Sequence, residues 1–314
     1  MSTARINRLF LAGARAADGV EIVAVASRNP EQAARYASEQ GIERAHGSYD
    51  ELLADPDVAA VYIPLPNSLH IEWTVRALEA GKHVLCEKPL SRHADEVERA
   101  FDVAEREGRL LMEAFMYRHN PQTRRLSQLV TEGAVGTVRM IRAAFSFHVR
   151  PGDIRLRRAL DGGALMDVGC YCVSGARLIA GEPARVTADQ LVGGEGVDIA
   201  FTATMRFGDG VLAHFDGGLV LAERDELEVV GENGVLFLDD PWHCRTPLIE
   251  LRREDGVQQI RTPVVDSYRL EAENFSASIR GEAQPLLGRA DAVGQARAIE
   301  ALYAAAESGR AVTL

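Results

Sequence analysis

Lys88 stands in Glu87-Lys88-Pro89, directly after the run Lys82-His83-Val84-Leu85-Cys86 that Gly81 introduces. Short, apolar and bounded by a turn residue, that run predicts a buried parallel strand. In open α/β sheets ligands gather at the carboxyl ends of the strands. An ammonium delivered there can donate a proton or a hydrogen bond, and Pro89 fixes the turn that follows. Taken alone, the tripeptide reads as a surface lysine before a turn proline. A second stretch far downstream, Asp161-Gly-Gly-Ala-Leu-Met-Asp167-Val-Gly169-Cys-Tyr171, changes that balance, because the chain then holds an ammonium, a carboxyl and a phenol in a paired pattern.

The elements that must carry these groups follow from periodicity. Between residues 21 and 113 short apolar runs alternate with amphipathic stretches. Strands are predicted at 21–26, 58–63, 82–86 and 109–113, with helices at 30–40, 50–54, 68–80 and 94–108 between them. Repeated βα units of this length imply a parallel sheet with helices on both faces. After Pro121 the character changes. A helix runs to about Thr131, and 136–148 reads as one long strand. Further strands are predicted at 185–191, 198–207, 210–219, 226–230 and 234–239, with hairpin signals at Gly208-Asp209-Gly210 and Gly231-Glu-Asn-Gly234. Helices near 266–280 and 290–308 close the chain. The expected class is therefore α/β plus α+β. Residues 1–118 are expected to form a Rossmann-like parallel-sheet domain, and 119–314 a second domain on a large, mostly antiparallel open sheet. The C-terminal helix is expected to pack back on the first domain.

Composition narrows the partners. With 314 residues, 46% hydrophobic, 26% charged and a formal net charge of −11, the chain is an ordinary globular sequence that disfavours nucleic acid and anionic membranes. Neither a run near 20 apolar residues nor a signal-peptide core is present, so the reducing cytoplasm is the default. Cys86, Cys170, Cys172 and Cys244 do not make a disulfide or zinc framework. Cys170-x-Cys172 could bind a metal in principle, but packing on an apolar helix start is the expectation, and no metal is expected. Long alternating strands such as Met140 to Phe147 suit face-to-face packing against a second copy, so a homodimer or higher assembly is expected; the alternative is a closed monomeric sandwich.

In order and spacing, Val61-Tyr-Ile-Pro-Leu-Pro-Asn67-Ser-Leu-His70, Glu87-Lys88-Pro89, Glu113-Ala-Phe-Met-Tyr-Arg118, Gly162-Gly-Ala-Leu-Met-Asp167-Val-Gly-Cys-Tyr171 and Tyr268-Arg-Leu-Glu-Ala-Glu-Asn-Phe275 resemble the Gfo/Idh/MocA oxidoreductases over nearly the whole chain. Tyr171 is similar to the subgroup of glucose-fructose oxidoreductase, dimeric dihydrodiol dehydrogenase and sugar ketoreductases. The resemblance implies a dinucleotide-binding domain at residues 1–118, a substrate-binding and dimerisation domain at 119–314, and hydride transfer between a nicotinamide and a sugar-like or polyhydroxylated alcohol or ketone, with Tyr171, Lys88 and Asp167 as the catalytic group. Asp167 and Tyr171 lie four apart and share a helix face. A free phenol has a pKa of about 10, which a neighbouring ammonium lowers. Tyr171 could then move the hydroxyl proton, with Lys88 bonding the substrate oxygen or cofactor ribose and Asp167 orienting substrate hydroxyls. Arg118 is a further candidate substrate contact, and Arg155 and Arg158 read as contacts or as a solvated loop. On the cofactor side the resemblance implies Thr3, Ala4, Arg5, Ile6, Ser27, Arg28, Pro64, Leu65, Asn67, His70, Glu87 and Lys88. Dinucleotide folds usually end their second strand in Asp or Glu. Here Ser27-Arg28-Asn29 offers an arginine for a 2′-phosphate and no carboxylate, favouring NADP over NAD.

The chain departs from that pattern at its start. Met1-Ser-Thr-Ala-Arg-Ile6 aligns with the second half of the family's glycine-rich turn, and the first strand and leading glycine have no counterpart. The expectation is either an internal start within a longer, ordinary enzyme, or a short, binding-only or weakly active relative.

Overall fold

A computed structural model describes residues 1–314. The chain runs α1 (Asn7–Ala16), β1 (Ala24–Ala26), α2 (Pro30–Gln40), β2 (Arg44–His46), α3 (Tyr49–Ala54), β3 (Ala60–Ile63), α4 (His70–Glu79), β4 (His83–Glu87), α5 (Ala94–Glu107), β5 (Leu111–Ala114) and α6 (Pro121–Thr131). It continues β6 (Val138–His148), α7 (Cys170–Ala180), β7 (Pro183–Val192), β8 (Asp198–Phe207), β9 (Leu212–Gly218), β10 (Val220–Gly231), β11 (Gly234–Asp239), β12 (Leu248–Arg253), β13 (Gly256–Arg261), α8 (Ser267–Ile279), α9 (Arg289–Ser308) and β14 (Val312–Thr313). Two compact units emerge. The first comprises residues 1–91, 95–116 and 266–293, and the second 92–94, 117–265 and 294–314. Residues 266–293 thus cluster with the first unit.

In the first unit all strand pairings are parallel, in two groups: β1 with β2, and β3–β4–β5. Val84, Leu85 and Cys86 of β4 are buried to 1% or less, which is why that run reads as apolar without alternation. Helix boundaries follow local chemistry. The Asn29 side chain accepts the Gln32 N–H ahead of Pro30 at the first turn of α2, and Gly41 (φ +61) ends that helix in the left-handed region. Beside β3, the Phe10 ring of α1 stacks on Tyr62 with centroids 3.7 Å apart. The Met1 ammonium donates to the Tyr62 carbonyl at 2.7 Å, and the Ser2 hydroxyl to that of Pro64 at 3.2 Å.

The second unit is built on a nine-stranded sheet in the order β13-β12-β11-β10-β6-β9-β8-β7-β14. All its pairings are antiparallel except β6 with β9. Strand β8 alternates cleanly, with Phe201, Ala203, Met205 and Phe207 buried and Thr202, Thr204 and Arg206 exposed, the pattern of a sheet covered on one face. The β12–β13 hairpin was not among the predicted strands. Its residues Leu248-Ile-Glu-Leu-Arg-Arg and Gly-Val-Gln-Gln-Ile-Arg261 are rich in charge and glutamine and lie at the sheet edge, where β propensity is weak and charge guards against aggregation.

Candidate active site

In the first unit, β4 delivers Glu87 and Lys88 into a turn whose Lys88–Pro89 peptide is cis. The Tyr62 hydroxyl donates to Glu87 Oε1 in a short hydrogen bond, and the Lys88 N–H donates to Oε2 at 3.3 Å. The buried Glu113 accepts the Leu90 N–H at 2.8 Å, so the turn is held from β5 as well. His70 is 1% exposed, and its Nδ1 and Nε2 lie 2.9 and 2.8 Å from the carbonyls of Pro89 and Leu65. A neutral imidazole has one N–H to give, and burial lowers the His70 pKa while the two carbonyls pull it upward. His70 therefore ties the turn after β3, with buried Pro64 and Leu65 and half-buried Asn67, to the turn after β4. Behind them Glu271 of α8 is fully buried with no partner on either oxygen, and burial, reinforced by Glu87, pushes its carboxyl well above the usual range. Tyr62 and Glu271 lie inside two of the motifs that carry the resemblance, but neither is singled out by it as a site residue; their place became visible only when β3, β4 and α8 were assembled.

The expected nucleotide contacts lie around α1 and β1. No side chain caps α1, and Ile6 occupies its N-cap position. Thr3 Oγ1 accepts from Gln32 at 2.9 Å, the Ala4 N–H donates to Ser2 Oγ at 3.1 Å, and Arg5 is exposed. At the end of β1, Ser27 is buried and its hydroxyl accepts the Asn29 N–H at 3.2 Å, while Arg28 is exposed. The Tyr49 hydroxyl bonds Arg28; burial raises that phenol and the guanidinium partly offsets the rise. An uncapped helix start and an exposed arginine without a neighbouring Asp or Glu at residues 27–29 fit a pyrophosphate and a 2′-phosphate.

In the second unit, Asp167 lies on a π-helical turn, Leu165–Gly169, that runs into α7, where Tyr171 sits. The expected plain helix thus carries one widened turn between the carboxyl and the phenol, a feature common at functional sites. Arg155 Nε donates to Asp167 Oδ2 at 2.7 Å, and its Nη1 reaches Asp153 Oδ1 at 3.2 Å. Arg155 is consequently an ion-pair partner of the candidate carboxylate rather than part of a solvated loop. Tyr171 is 8% exposed and seated among Tyr117, Phe145 and Trp242, with ring centroids 5.7, 5.4 and 6.1 Å away. Tyr117 donates to Ser174 Oγ at 2.7 Å, and Arg118 Nη1 lies 3.3 Å from the same oxygen. Trp242 is fully buried and donates from its indole to the Ala144 carbonyl at 3.0 Å.

Its loop is fastened by charge. Burial opposes a proton on His243, yet Asp225 and Asp240 beside it lift the imidazole to about 9. With Arg245 donating to Asp240 at 2.9 Å, both carboxylates already have cationic partners. All four cysteines are buried free thiols, and Cys170 points its thiol at the Asp167 carbonyl, 3.6 Å away. The Cys170-x-Cys172 pair packs into the core.

Comparison with known proteins defines the class. An oxidoreductase-family model with an NAD-binding Rossmann fold matches residues 3–115, and a GFO/IDH/MocA C-terminal domain matches 123–237. Among curated relatives, the D-xylose 1-dehydrogenase (NADP(+)) 2 of Haloferax volcanii is 41% identical over 94% of this chain and 92% of its own length. An uncharacterized oxidoreductase of Rhizobium meliloti is 39% identical over 93% and 91%. Among solved structures, the 3-ketoreductase KijD10 of Actinomadura kijaniata, in complex with NADP and TDP-benzene, superposes with a TM-score of 0.91 at 34% identity, covering 96% of this chain and 95% of that one. An aldose-aldose oxidoreductase of Caulobacter crescentus complexed with glycerol gives 0.93 at 28% identity, covering 100% and 98%. The fold is that of an oxidoreductase with an NAD-binding Rossmann domain. The chain belongs to the Gfo/Idh/MocA oxidoreductase family.

Proposed function

We propose that the chain is an NADP(H)-dependent dehydrogenase or reductase of sugar-like or polyhydroxylated substrates, with Tyr171 as the acid/base, Lys88 as its electrostatic partner and Asp167 orienting substrate hydroxyls. The observation that carries this reading is the seat of Tyr171. The phenol is enclosed by aromatic rings four residues after a carboxylate that Arg155 holds at 2.7 Å. Relatives support it: one is an NADP-linked xylose dehydrogenase, another a ketoreductase solved with NADP. That ketoreductase has also been studied with a tyrosine replaced by phenylalanine and with a lysine replaced by alanine or glutamate. When bound, NADP(H) supplies or accepts the hydride at nicotinamide C4. The α1 start with Thr3, Ala4, Arg5 and Ile6 would hold the pyrophosphate, and Ser27 and Arg28 the adenosine ribose and its 2′-phosphate. Pro64, Leu65, Asn67 and the turn braced by His70 and Glu87 would hold the nicotinamide side.

In the oxidising direction the Tyr171 oxygen takes the proton of the substrate hydroxyl; in reduction it returns a proton to the carbonyl oxygen. Lys88 favours the phenolate at the moment that proton leaves. Asp167, ion-paired with Arg155, accepts hydrogen bonds from a neighbouring hydroxyl and fixes which carbon faces the cofactor. Arg118 is kept for Ser174 and the rim of the substrate. The homodimer through the open sheet also stands as a proposal. The outward face of that sheet carries the Arg142–Glu228 and Arg252–Glu250 pairs, at 2.9 and 2.7 Å, so the interface would be polar. The test is a panel of aldoses, ketosugars and trans-diols with NADP+ and NADPH. Tyr171→Phe should lower kcat by roughly 10²- to 10⁴-fold while NADPH affinity by fluorescence stays within a fewfold. Full activity in that variant refutes the assignment, and NADPH binding without turnover of any substrate by the wild type favours a binding-only protein.

A further inference from the structure

The start of the helix that presents Asp167 and Tyr171 has no cap of its own. Ala164 precedes the π-helical turn and offers no side-chain acceptor, yet a helix start leaves several N–H groups to be satisfied. The acceptor comes from another element. Asp198, the first residue of β8, is 3% exposed, and its Oδ2 takes the Leu165 N–H at 2.6 Å. Its Oδ1 accepts the hydroxyl of Tyr303 on α9 at 3.0 Å. Above the Tyr303 ring lies the Arg92 guanidinium, 4.3 Å from the centroid, which also pairs with Asp161 Oδ1 at 2.6 Å. Next to it His93 meets Glu300 of α9 at 3.1 Å.

The glycine pair of the motif is explained by the same geometry. Gly163 has φ +135, and a Cβ there would lie 2.2 Å from Asp198 Oδ1 and 3.0 Å from the Tyr303 hydroxyl. A Cβ on Gly162 would lie 2.2 Å from the Arg155 carbonyl, the acceptor of the Gly163 N–H at 2.9 Å. The Gly163 carbonyl in turn accepts the Asp167 N–H at 3.0 Å. The two glycines are therefore pressed between the Arg155 loop, which grips the Asp167 carboxylate, and the Asp198 carboxylate, which grips the helix start.

We infer that Asp198 is a positioning residue for the reaction: a remote N-cap, fixed by Tyr303 and countered by Arg92, that sets where Asp167 and Tyr171 stand. A carboxylate at a helix N-terminus is favoured by the backbone dipoles as well as by the hydrogen bond. Burial raises the Asp198 pKa to about 6, against the Leu165 amide, the Tyr303 hydroxyl and the more distant Arg92 charge, all of which lower it. The cap consequently loses its charge near pH 6. The inference rests on the catalytic reading of Tyr171, so the experiment has one readout independent of turnover.

Asp198→Asn and Tyr303→Phe are made in the full chain. Amide exchange over residues 163–171 is followed by mass spectrometry without cofactor or substrate, with α8 as the internal reference. Exchange at 163–171 should accelerate in Asp198→Asn, and to a smaller degree in Tyr303→Phe, with α8 unchanged. Wherever the wild type turns over, kcat of Asp198→Asn should fall on the order of 10- to 100-fold, as for a small displacement of reacting groups. NADPH affinity should stay within twofold, and the acid limb of kcat near pH 6 should disappear. Unchanged exchange in both variants overturns the positioning role. Faster exchange with kcat and the acid limb intact overturns its link to catalysis. A wild type inactive on every substrate refutes the catalytic reading, while exchange still decides whether Asp198 caps the helix. Should Asp198→Asn fail to fold, Tyr303→Phe, which removes one hydroxyl, decides the same question.

Discussion

Replacing Glu271 by glutamine should change how the protein's stability depends on pH. Glu271 is fully buried, neither carboxyl oxygen has a partner, and burial together with Glu87 raises its pKa well above 4.5. In the unfolded chain the same group titrates near 4.3. Between those limits the folded protein holds one proton that the unfolded chain has released. Unfolding stability must therefore fall as pH rises, by about 1.4 kcal/mol per pH unit from this one group. This is the reverse of a salt-bridged carboxylate, whose contribution is lost as pH falls. Glutamine matches the neutral acid in shape and cannot ionise, so the variant lacks this slope. Contributions from other groups, such as Asp198 and His243, occur in both proteins and cancel in the difference. Between about pH 4.3 and the raised pKa of the folded group, the stability of Glu271→Gln relative to wild type should thus rise with pH, by about 1.4 kcal/mol per pH unit. Urea unfolding at three pH values, fitted with a common m-value, measures it. Stability–pH curves that run parallel for the two proteins would show that Glu271 is ionised or hydrated in the native state, and the account of its site would be wrong.

Two further changes test separate parts of the structure. Arg28→Ala should raise KM for NADP roughly 10- to 100-fold, the worth of a charge-assisted hydrogen bond, and leave KM for NAD nearly unchanged; equal effects on both cofactors in steady-state assays would remove Arg28 from the 2′-phosphate. Gly163→Ala combines a φ of +135 with a Cβ 2.2 Å from Asp198 Oδ1, so it should cost at least about 2 kcal/mol in chemical denaturation, and a loss below 0.5 kcal/mol would mean that the motif's second glycine is not confined as described.

What could be read in the sequence and what could not divide along the range of the interactions. The βα alternation from Ala24 to Ala114 is written in short apolar runs and in local signals such as Asn29-Pro30 and Gly41, each acting within a few residues, so elements and their order are legible. Spacing likewise brought Asp167 and Tyr171 to one helix. The π-helical turn between them was not legible, because its start is set by Asp198, which lies 33 residues downstream of Leu165 and is brought to it by the fold. The same holds for Arg155, which reads as a substrate contact or a solvated loop residue until the chain folds back and Asp167 appears 2.7 Å from it. His70 shows the converse. The resemblance makes it a nicotinamide-side contact, and its two ring nitrogens face the carbonyls of Leu65 and Pro89 in the interior. Buried backbone groups must find partners, and a polar side chain near a site is as readily recruited to satisfy them as to touch a ligand. Motif residues in this chain therefore fall into two physical kinds: Lys88, Asp167 and Tyr171 carry the proposed chemistry, while Gly162, Gly163, His70 and Glu113 make room for, or hold, the backbone around them.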